Sequence, residues 1–368
     1  MRILHIIPNF ASGGAERVLL NYLLDWKVKY SDDDVVGLAL YCNKGSIYDE
    51  EISEGHVRVE YANCRPGKYI EYIQAIRSKV KSYQPDIIHS HMRILPYVYF
   101  ATIGMNVKIV HTIHTEPEAH AAGKQFYLER ICMQSKRVLP ICLTMELARR
   151  ANQLYRITKC EYLYNGIFVD QYRDLSIDQK VQVRRELQIP TDAMVIGHVG
   201  RFVPLKNHEL IIDVFEEYHK NINSKSFLIL IGEGPEFKKI QGLVIEKELS
   251  DYVKMVGTRR DVPHLLQVMD KYIFPSSTEG LGLSFVEAQA AGLDCVISDA
   301  IPAEAVVTKK VTRVSLHDKI DVWVNALEGK LENESPSGSL HSFDRYSVVD
   351  KLRRIYENVL SQQYKYEH

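Results

Sequence analysis

Short runs of isoleucine, valine and leucine alternate along this chain with longer stretches in which apolar residues recur every three or four positions. A run apolar at every position suits a strand covered on both faces, and the longer spacing is one face of a helix. The alternation therefore predicts parallel strands joined by crossover helices. Residues 3–7 form the first run, a polar turn Asn9-Phe-Ala-Ser-Gly13-Gly14 follows, and Val18, Leu19, Tyr22 and Leu23 then recur at helical spacing over 15–26. Further strands are predicted over 35–41, 87–88 and 109–110, with a helix over 69–83. At 195–199 the chain begins again: an apolar strand ends in Gly200-Arg201, and helical spacing resumes over 208–218. Strands over 227–231, 252–256, 271–274 and 295–298 complete the second series. Two successive Rossmann-like domains are the expected result, joined in the polar stretch 165–191, which opens with Asn165-Gly166 and carries Pro190. Ligands of such sheets bind beyond the carboxyl ends of the strands, and candidate chemistry is sought there.

At 368 residues the chain exceeds what one core of ordinary size fills, in keeping with two domains. Its 46% hydrophobic and 25% charged residues give each domain the material for a core. A net charge of -1 argues against a protein that works by neutralising nucleic-acid phosphates. Residues 1–168 carry 21 Lys and Arg against 17 Asp and Glu, and the remainder 25 against 30, so the first half is mildly basic and suits an anionic surface. Cys42, Cys64, Cys132, Cys142, Cys160 and Cys295 are dispersed without a Cys-x-x-Cys pair, which points to reduced structural thiols rather than a zinc or dithiol site. The first apolar run ends at Pro8, too short to span a bilayer and without a cleavage site after it, and a cytosolic location is expected.

Two loops carry the chemistry. The first is Pro275-Ser-Ser-Thr-Glu279-Gly-Leu-Gly282-Leu283-Ser284-Phe-Val-Glu287, directly after a predicted strand and opening a helix. Glycines let backbone amides approach an anion, and the first helical turn leaves N–H groups unpaired, an arrangement suited to phosphate. The carboxylates of Glu279 and Glu287 are then placed to accept hydrogen bonds from sugar hydroxyls. Ser284 and Glu287 also have the spacing of a capping box, in which Glu287 serves only its own helix, and both readings stand at this level. The second loop, Gly200-Arg201-Phe-Val-Pro-Leu-Lys206-Asn207, sets two cations at the end of the second domain's first strand. A guanidinium fork and an ammonium can clamp a diphosphate and stabilise the charge that develops on it as a leaving group, with no metal ion required.

Taken with Ser12-Gly13-Gly14-Ala15-Glu16, Pro85-Asp86-Ile-Ile-His89-Ser90-His91, His111-Thr-Ile-His114, Asn165-Gly166, Gly232-Glu233-Gly234-Pro235 and Val256-Gly257 to Arg260-Asp261-Val262, these loops make a chain that resembles a family 4 (group 1) glycosyltransferase of the bacterial exopolysaccharide and capsule type. The resemblance covers nearly the whole chain. It implies the GT-B fold, two Rossmann-like domains facing a deep interdomain cleft: an acceptor-side domain over 1–168, a donor domain over 169–344, and a terminal helix over 345–368 packing back on the first. It also implies a retaining transfer of sugar from a nucleotide sugar, UDP by family habit, with the departing phosphate helping to take the acceptor proton. No cofactor or metal is expected. By the same resemblance, Glu279 contacts the donor sugar and Glu287 the ribose, Arg201 and Lys206 hold the diphosphate, and backbone at Gly13, Gly14, Gly282 and Leu283 approaches the phosphates. Thr258 and Arg259 face the base, and His114 lines the sugar pocket. The acceptor is expected to be a glycan or a lipid-linked saccharide. Phe168 and Asp294 depart from the residues common in the family at those positions.

His89, His91, His111 and His114 cluster near predicted strand ends. A divalent metal site is the lesser reading and packing the greater for His89 and His91. The basic stretch 65–81, apolar at helical spacing, is read first as an ordinary helix with a solvated lysine face and second as a contact with anionic membrane at the inner face of the cytoplasmic membrane. Two other functions use the same fold: a sugar-nucleotide epimerase, which would turn over without an acceptor, and a non-catalytic partner subunit, in which loss of Arg201, Lys206 or Glu279 is expected. All three are present.

Overall fold

The computed structural model of the protein describes residues 1–10, 14–41, 48–120 and 125–361. The chain divides into two compact units, Met1–Gly166 together with Phe343–His368, and Ile167–Ser342. The first is built on strands β1 (Arg2–Ile7), β2 (Asp34–Ala39), β3 (Arg58–Tyr61), β4 (Ile87–His91), β5 (Lys108–Ile113), β6 (Val138–Cys142) and β7 (Glu161–Tyr162), standing in the order β3-β2-β1-β4-β5-β6-β7. The second carries β8 (Met194–Val199), β9 (Ser226–Ile231), β10 (Val253–Met255), β11 (Lys271–Phe274), β12 (Asp294–Ser298) and β13 (Val311–Val314), in the order β10-β9-β8-β11-β12-β13.

Neighbouring strands run parallel in both sheets, for example β1 with β2 and β4, and β8 with β9 and β11. Each unit thus repeats the Rossmann plan, with its first strand central and the order reversing between the first and fourth strands. Helices on both faces explain the unbroken apolar runs: β1 beyond Arg2, and all of β4 and β9, are buried.

Helix Tyr69–Tyr83 turns Tyr72, Ile76, Val80 and Tyr83 inward, so its apolar stripe is used by its own unit, while Tyr69 and Ile70 at its start are exposed. The last described helix, Arg345–Leu360, starts at Asp344, whose carboxylate accepts from Ser347 N–H, and buries Val348, Val349, Leu352, Ile355, Tyr356 and Val359 in the first unit. Residues 362–368 of the predicted tail helix lie outside the described residues. Where the chain re-enters this unit, Gly166 abuts the helix start: a Cβ there would lie 2.8 Å from Arg345 Cα, so only glycine fits. Arg345 in turn forks onto the buried Asp25 of helix Gly14–Lys29, Nε to Oδ2 2.7 Å and Nη2 to Oδ1 2.6 Å. Among the described residues no helix is long and apolar enough to cross a membrane.

Candidate functional site

In the second unit β8 and β11 pair at Ile196–Lys271 and Gly197–Tyr272 and then part. Beyond that point side chains replace the ladder. The Tyr272 hydroxyl lies 3.2 Å from Val199 N and 3.3 Å from Val199 O, and His198 Nδ1–H donates to Ile273 O at 2.9 Å. The loops that follow the two strands therefore leave from a crevice at the reversal of strand order, the place where open α/β sheets bind ligands.

Those loops brace each other. Asn207 Nδ2–H donates to Pro275 O (2.8 Å), and Ser277 N–H donates to Leu205 O (2.8 Å). Asn207 sits in the left-handed region (φ 53°) at the head of helix His208–Asn221, and its amide bridges the loops instead of capping the helix. Between the two braces, Lys206 Nζ forms an ion pair with Glu279 Oε1, both side chains being mostly buried. The ammonium also lies 4.8 Å from the centre of the Phe274 ring, a cation–π contact. Arg201 is exposed and has no carboxylate partner among the described residues. Its loop is fastened to the one after β9 by Phe202 N–H to Glu233 O, 3.0 Å, and Glu236 N–H to Phe202 O, 3.1 Å.

Gly282 lies against the other reach of Phe274: a Cβ would meet Cε1 at 3.0 Å, and φ of +81° excludes most other residues as well. It is also the N-cap of helix Leu283–Ala290, with no side-chain cap. The capping box of Ser284 and Glu287 is therefore not formed, because the helix begins one residue before Ser284 and places that serine inside the first turn. The N–H groups of Leu283 and Ser284 precede any intrahelical acceptor and point out of the helix end. Glu287, one turn on, accepts instead from the hydroxyl of Tyr172, in the short 3-10 turn Val169–Tyr172 that Arg173 Nε–H pins to Ala290 O at 2.7 Å. Burial pushes the Glu287 carboxyl up to about 7, with the Tyr172 bond opposing that rise.

That shift has a measurable sign. A raised carboxyl favours its protonated form, so its contribution to stability is complete below the ordinary value of 4.5 and is lost as pH rises through about 7. Glu287→Gln, uncharged throughout, is expected to stabilise the ligand-free protein by about 2 kcal/mol near pH 8 and by almost nothing near pH 4. Urea midpoints at the two pH values check this, and an equal effect at both would rule the assignment out.

Of the remaining predicted residues, Thr258 and Arg259 follow β10 and are exposed, and Arg259 is tied back to Asp261 by two bonds of 2.8 and 2.6 Å. Arg201, Lys206, Thr258, Arg259, Glu279, Gly282, Leu283 and Glu287 thus all follow strand ends of one sheet, and among them Lys206 and Glu279 are in direct contact. Gly14 belongs to the first unit, where it opens helix Gly14–Lys29, is exposed and has space for a Cβ. Gly13 lies outside the described residues. Asn207, Tyr172, Tyr272 and His198 are support residues that the sequence reading did not assign; only Asn207, next to Lys206, carried a signal.

In the first unit the register aligns His5 with His89 and His91 with Thr112, so these residues and His114 share one face at the corresponding reversal point. Ring nitrogens of His5, His89 and His91 lie within 4.8 Å of one another, the separation a metal ion needs. Each ring is already engaged in hydrogen bonds: His89 with the Tyr356 hydroxyl (2.6 Å) and Thr112 Oγ1 (2.7 Å), and His5 with His91 (3.0 Å). His91 bonds His114 at 3.0 Å, and on the opposite face His111 bonds Ser90 at 2.9 Å.

Known proteins resemble this chain in sequence and in fold. The Glycosyltransferase Family 4 model matches residues 12–171 and the Glycosyl transferases group 1 model residues 179–347. Over 342 residues the chain is 27% identical to the putative glycosyltransferase EpsF of Bacillus subtilis strain 168, covering 89% of this chain and 86% of that protein. Over 299 residues it is 25% identical to the Escherichia coli UDP-Gal:alpha-D-GlcNAc-diphosphoundecaprenol alpha-1,3-galactosyltransferase, covering 75% and 76%. The crystal structure of Anabaena Alr3699/HepE in complex with UDP shares the fold, with a TM-score of 0.78 at 17% identity over 97% of this chain and 100% of that one. With the two models lying end to end in the order of the two units, on the two-sheet GT-B fold, the chain belongs to the family 4 (group 1) glycosyltransferases.

Proposed function

We propose that this glycosyltransferase moves a sugar from a nucleotide sugar, a UDP-sugar first among them, to a glycan or lipid-linked acceptor in surface polysaccharide synthesis, with retention at the anomeric carbon. The observation that carries the reading is the contact of Lys206 with Glu279 at the reversal point of the second sheet, beside an uncapped helix start. A diphosphate meets a cation and two amide donors there, while a sugar hydroxyl meets the Glu279 carboxylate. Arg201 adds a second cation from the same loop as Lys206, and Glu287 takes the ribose in competition with Tyr172. Thr258 and Arg259 lie at the base, and Gly14 and His114 serve from the first unit. The Anabaena protein crystallised in complex with UDP, and the E. coli relative is named for a UDP-Gal donor and a diphosphoundecaprenol acceptor; both support a UDP-linked donor, and the second supports a lipid-linked acceptor.

Leaving-group stabilisation by Arg201 and Lys206 would carry the rate, since charge grows on the β-phosphate as the glycosidic bond breaks. Thermal stabilisation by, and slow hydrolysis of, a panel of UDP-, GDP- and ADP-sugars tests the donor; a response led by UDP-sugars is expected, and no response to any of them refutes the reading. A lipid-linked acceptor would bring the enzyme to the inner face of the cytoplasmic membrane through the basic helix Tyr69–Tyr83, whose exposed Tyr69 and Ile70 suit an interface. Pelleting with anionic but not neutral liposomes is the expected result, and failure to pellet removes the membrane part alone.

A further inference from the structure

We propose that His5 and His91 are positioning residues that hold His114 in the tautomer with its proton on Nδ1, so that His114 meets the substrate as a hydrogen-bond donor and never as a base. The three imidazoles form a continuous chain: His5 Nδ1 lies 3.0 Å from His91 Nε2, and His91 Nδ1 lies 3.0 Å from His114 Nε2. His5 and His91 are buried, on β1 and β4, and His114 is half-buried just past the end of β5.

Burial holds the inner rings neutral, His5 at about 3 and His91 well below its ordinary value. A neutral imidazole carries one N–H and one bare nitrogen, so His91 donates along the chain in one direction and accepts from the other. Two concerted arrangements remain. In one, His5 Nδ1–H donates to His91 and His91 Nδ1–H donates to His114, leaving His5 Nε2 bare. In the other every proton faces the opposite way, and His5 Nε2 must carry an N–H.

His5 Nε2 decides between them, because it is buried and has no partner among the described residues. A buried N–H with no acceptor is among the rarest groups in folded proteins, rarer than an acceptor left short of a donor. Tyr22 adds to this. Its ring centre is 6.4 Å from that of His5, its buried hydroxyl also lacks a partner, and burial keeps it protonated. A phenol is a better donor than acceptor, so a bare nitrogen is the complementary neighbour. The first arrangement follows. Since Nε2 of His114 then accepts from His91, its other nitrogen, Nδ1, bears the proton and can only donate.

The role of His114 toward substrate rests on the function proposed above, but the tautomer does not. Two-bond proton–nitrogen correlation spectra of the full-length protein labelled with nitrogen-15 histidine at pH 7, assigned with single His→Gln variants, read it directly. All three rings are expected neutral with the proton on Nδ1. Protonation of His91 on Nε2, an imidazolium at any of the three, or displacement of these signals by added zinc would each overturn the proposal. His5→Phe, which removes the first donor, is expected to move the His114 proton toward Nε2 and lower kcat about tenfold with the donor KM unchanged. His5→Asn, whose Nδ2–H falls where Nδ1–H stood, is expected to restore both; equal loss in the two variants would make His5 merely structural and sink the proposal. Absence of turnover with every nucleotide sugar, beside the expected spectrum, refutes the proposed function and leaves the tautomer assignment standing.

Discussion

Lys206→Ala is expected to lower kcat/KM for sugar transfer by about 100- to 1,000-fold, the range for removing one preorganised group from a developing negative charge. The reason lies in where the ammonium is held. Two cross-loop bonds, Asn207 to Pro275 and Ser277 to Leu205, fix its loop, and Phe274 fixes the side chain, so its position costs no rearrangement when charge appears. The Arg201 loop is also fastened, but its side chain is exposed and has no carboxylate partner among the described residues, so Arg201→Ala should cost less. The alanine variant also strands Glu279, a mostly buried carboxylate, without its cation, so some stability is lost with the rate. The double variant Lys206→Ala, Glu279→Gln removes that charge: its urea midpoint should return toward the parent value while its rate stays low. An unchanged rate in Lys206→Ala would take the residue out of the mechanism.

Asp25→Ala should destabilise the first unit by about 3–5 kcal/mol, a large part of what a domain of this size has in hand. Asp25 and Arg345 form a two-bond pair that fastens the returning helix Arg345–Leu360 to helix Gly14–Lys29. Burial nevertheless raises the Asp25 carboxyl above its ordinary value, and the guanidinium recovers only part of that rise. For Asp25 desolvation therefore outweighs the attraction, and the importance of the pair is that neither partner tolerates loss of the other. Removing the carboxylate leaves a mostly buried guanidinium beside Gly166, where the main chain allows no Cβ and little room to move away. The apolar pair Asp25→Leu, Arg345→Met should regain most of the stability, and chemical denaturation of the single and double variants measures it. A loss under about 1 kcal/mol in Asp25→Ala would mean that Arg345 finds solvent, and that the pair does not fasten the helix.

Much of the architecture was legible because the signals are local. Helix Tyr69–Tyr83 was bounded to the residue by its apolar spacing, and most central strands by unbroken Ile, Val and Leu runs. β6 was missed: Val-Leu-Pro-Ile-Cys carries Pro140 in mid-strand, which argues against a strand when read alone. The sheet accepts it because β6 has only the two-residue β7 on its outer side, leaving few ladder bonds to lose. Ser284 and Glu287 showed the opposite failure. Their spacing is that of a capping box, but the left-handed Gly282, pressed on Phe274, starts the helix two residues early and hands Glu287 to Tyr172.

By itself, then, the sequence determined the two Rossmann series and the loops in which Arg201, Lys206, Glu279 and Glu287 stand, since strand periodicity and glycine placement depend on neighbours a few residues away. It left open the partners of those residues. Lys206 meets Glu279, Tyr172 meets Glu287, Arg345 meets Asp25, and His5 joins a chain that leads through His91 to His114, across separations of 73, 115, 320 and 86 residues or more. Such contacts exist only once parallel strands distant in sequence lie side by side, and burial, which sets both the charge of Glu287 and the proton of His114, is a property of that packing and not of any local pattern.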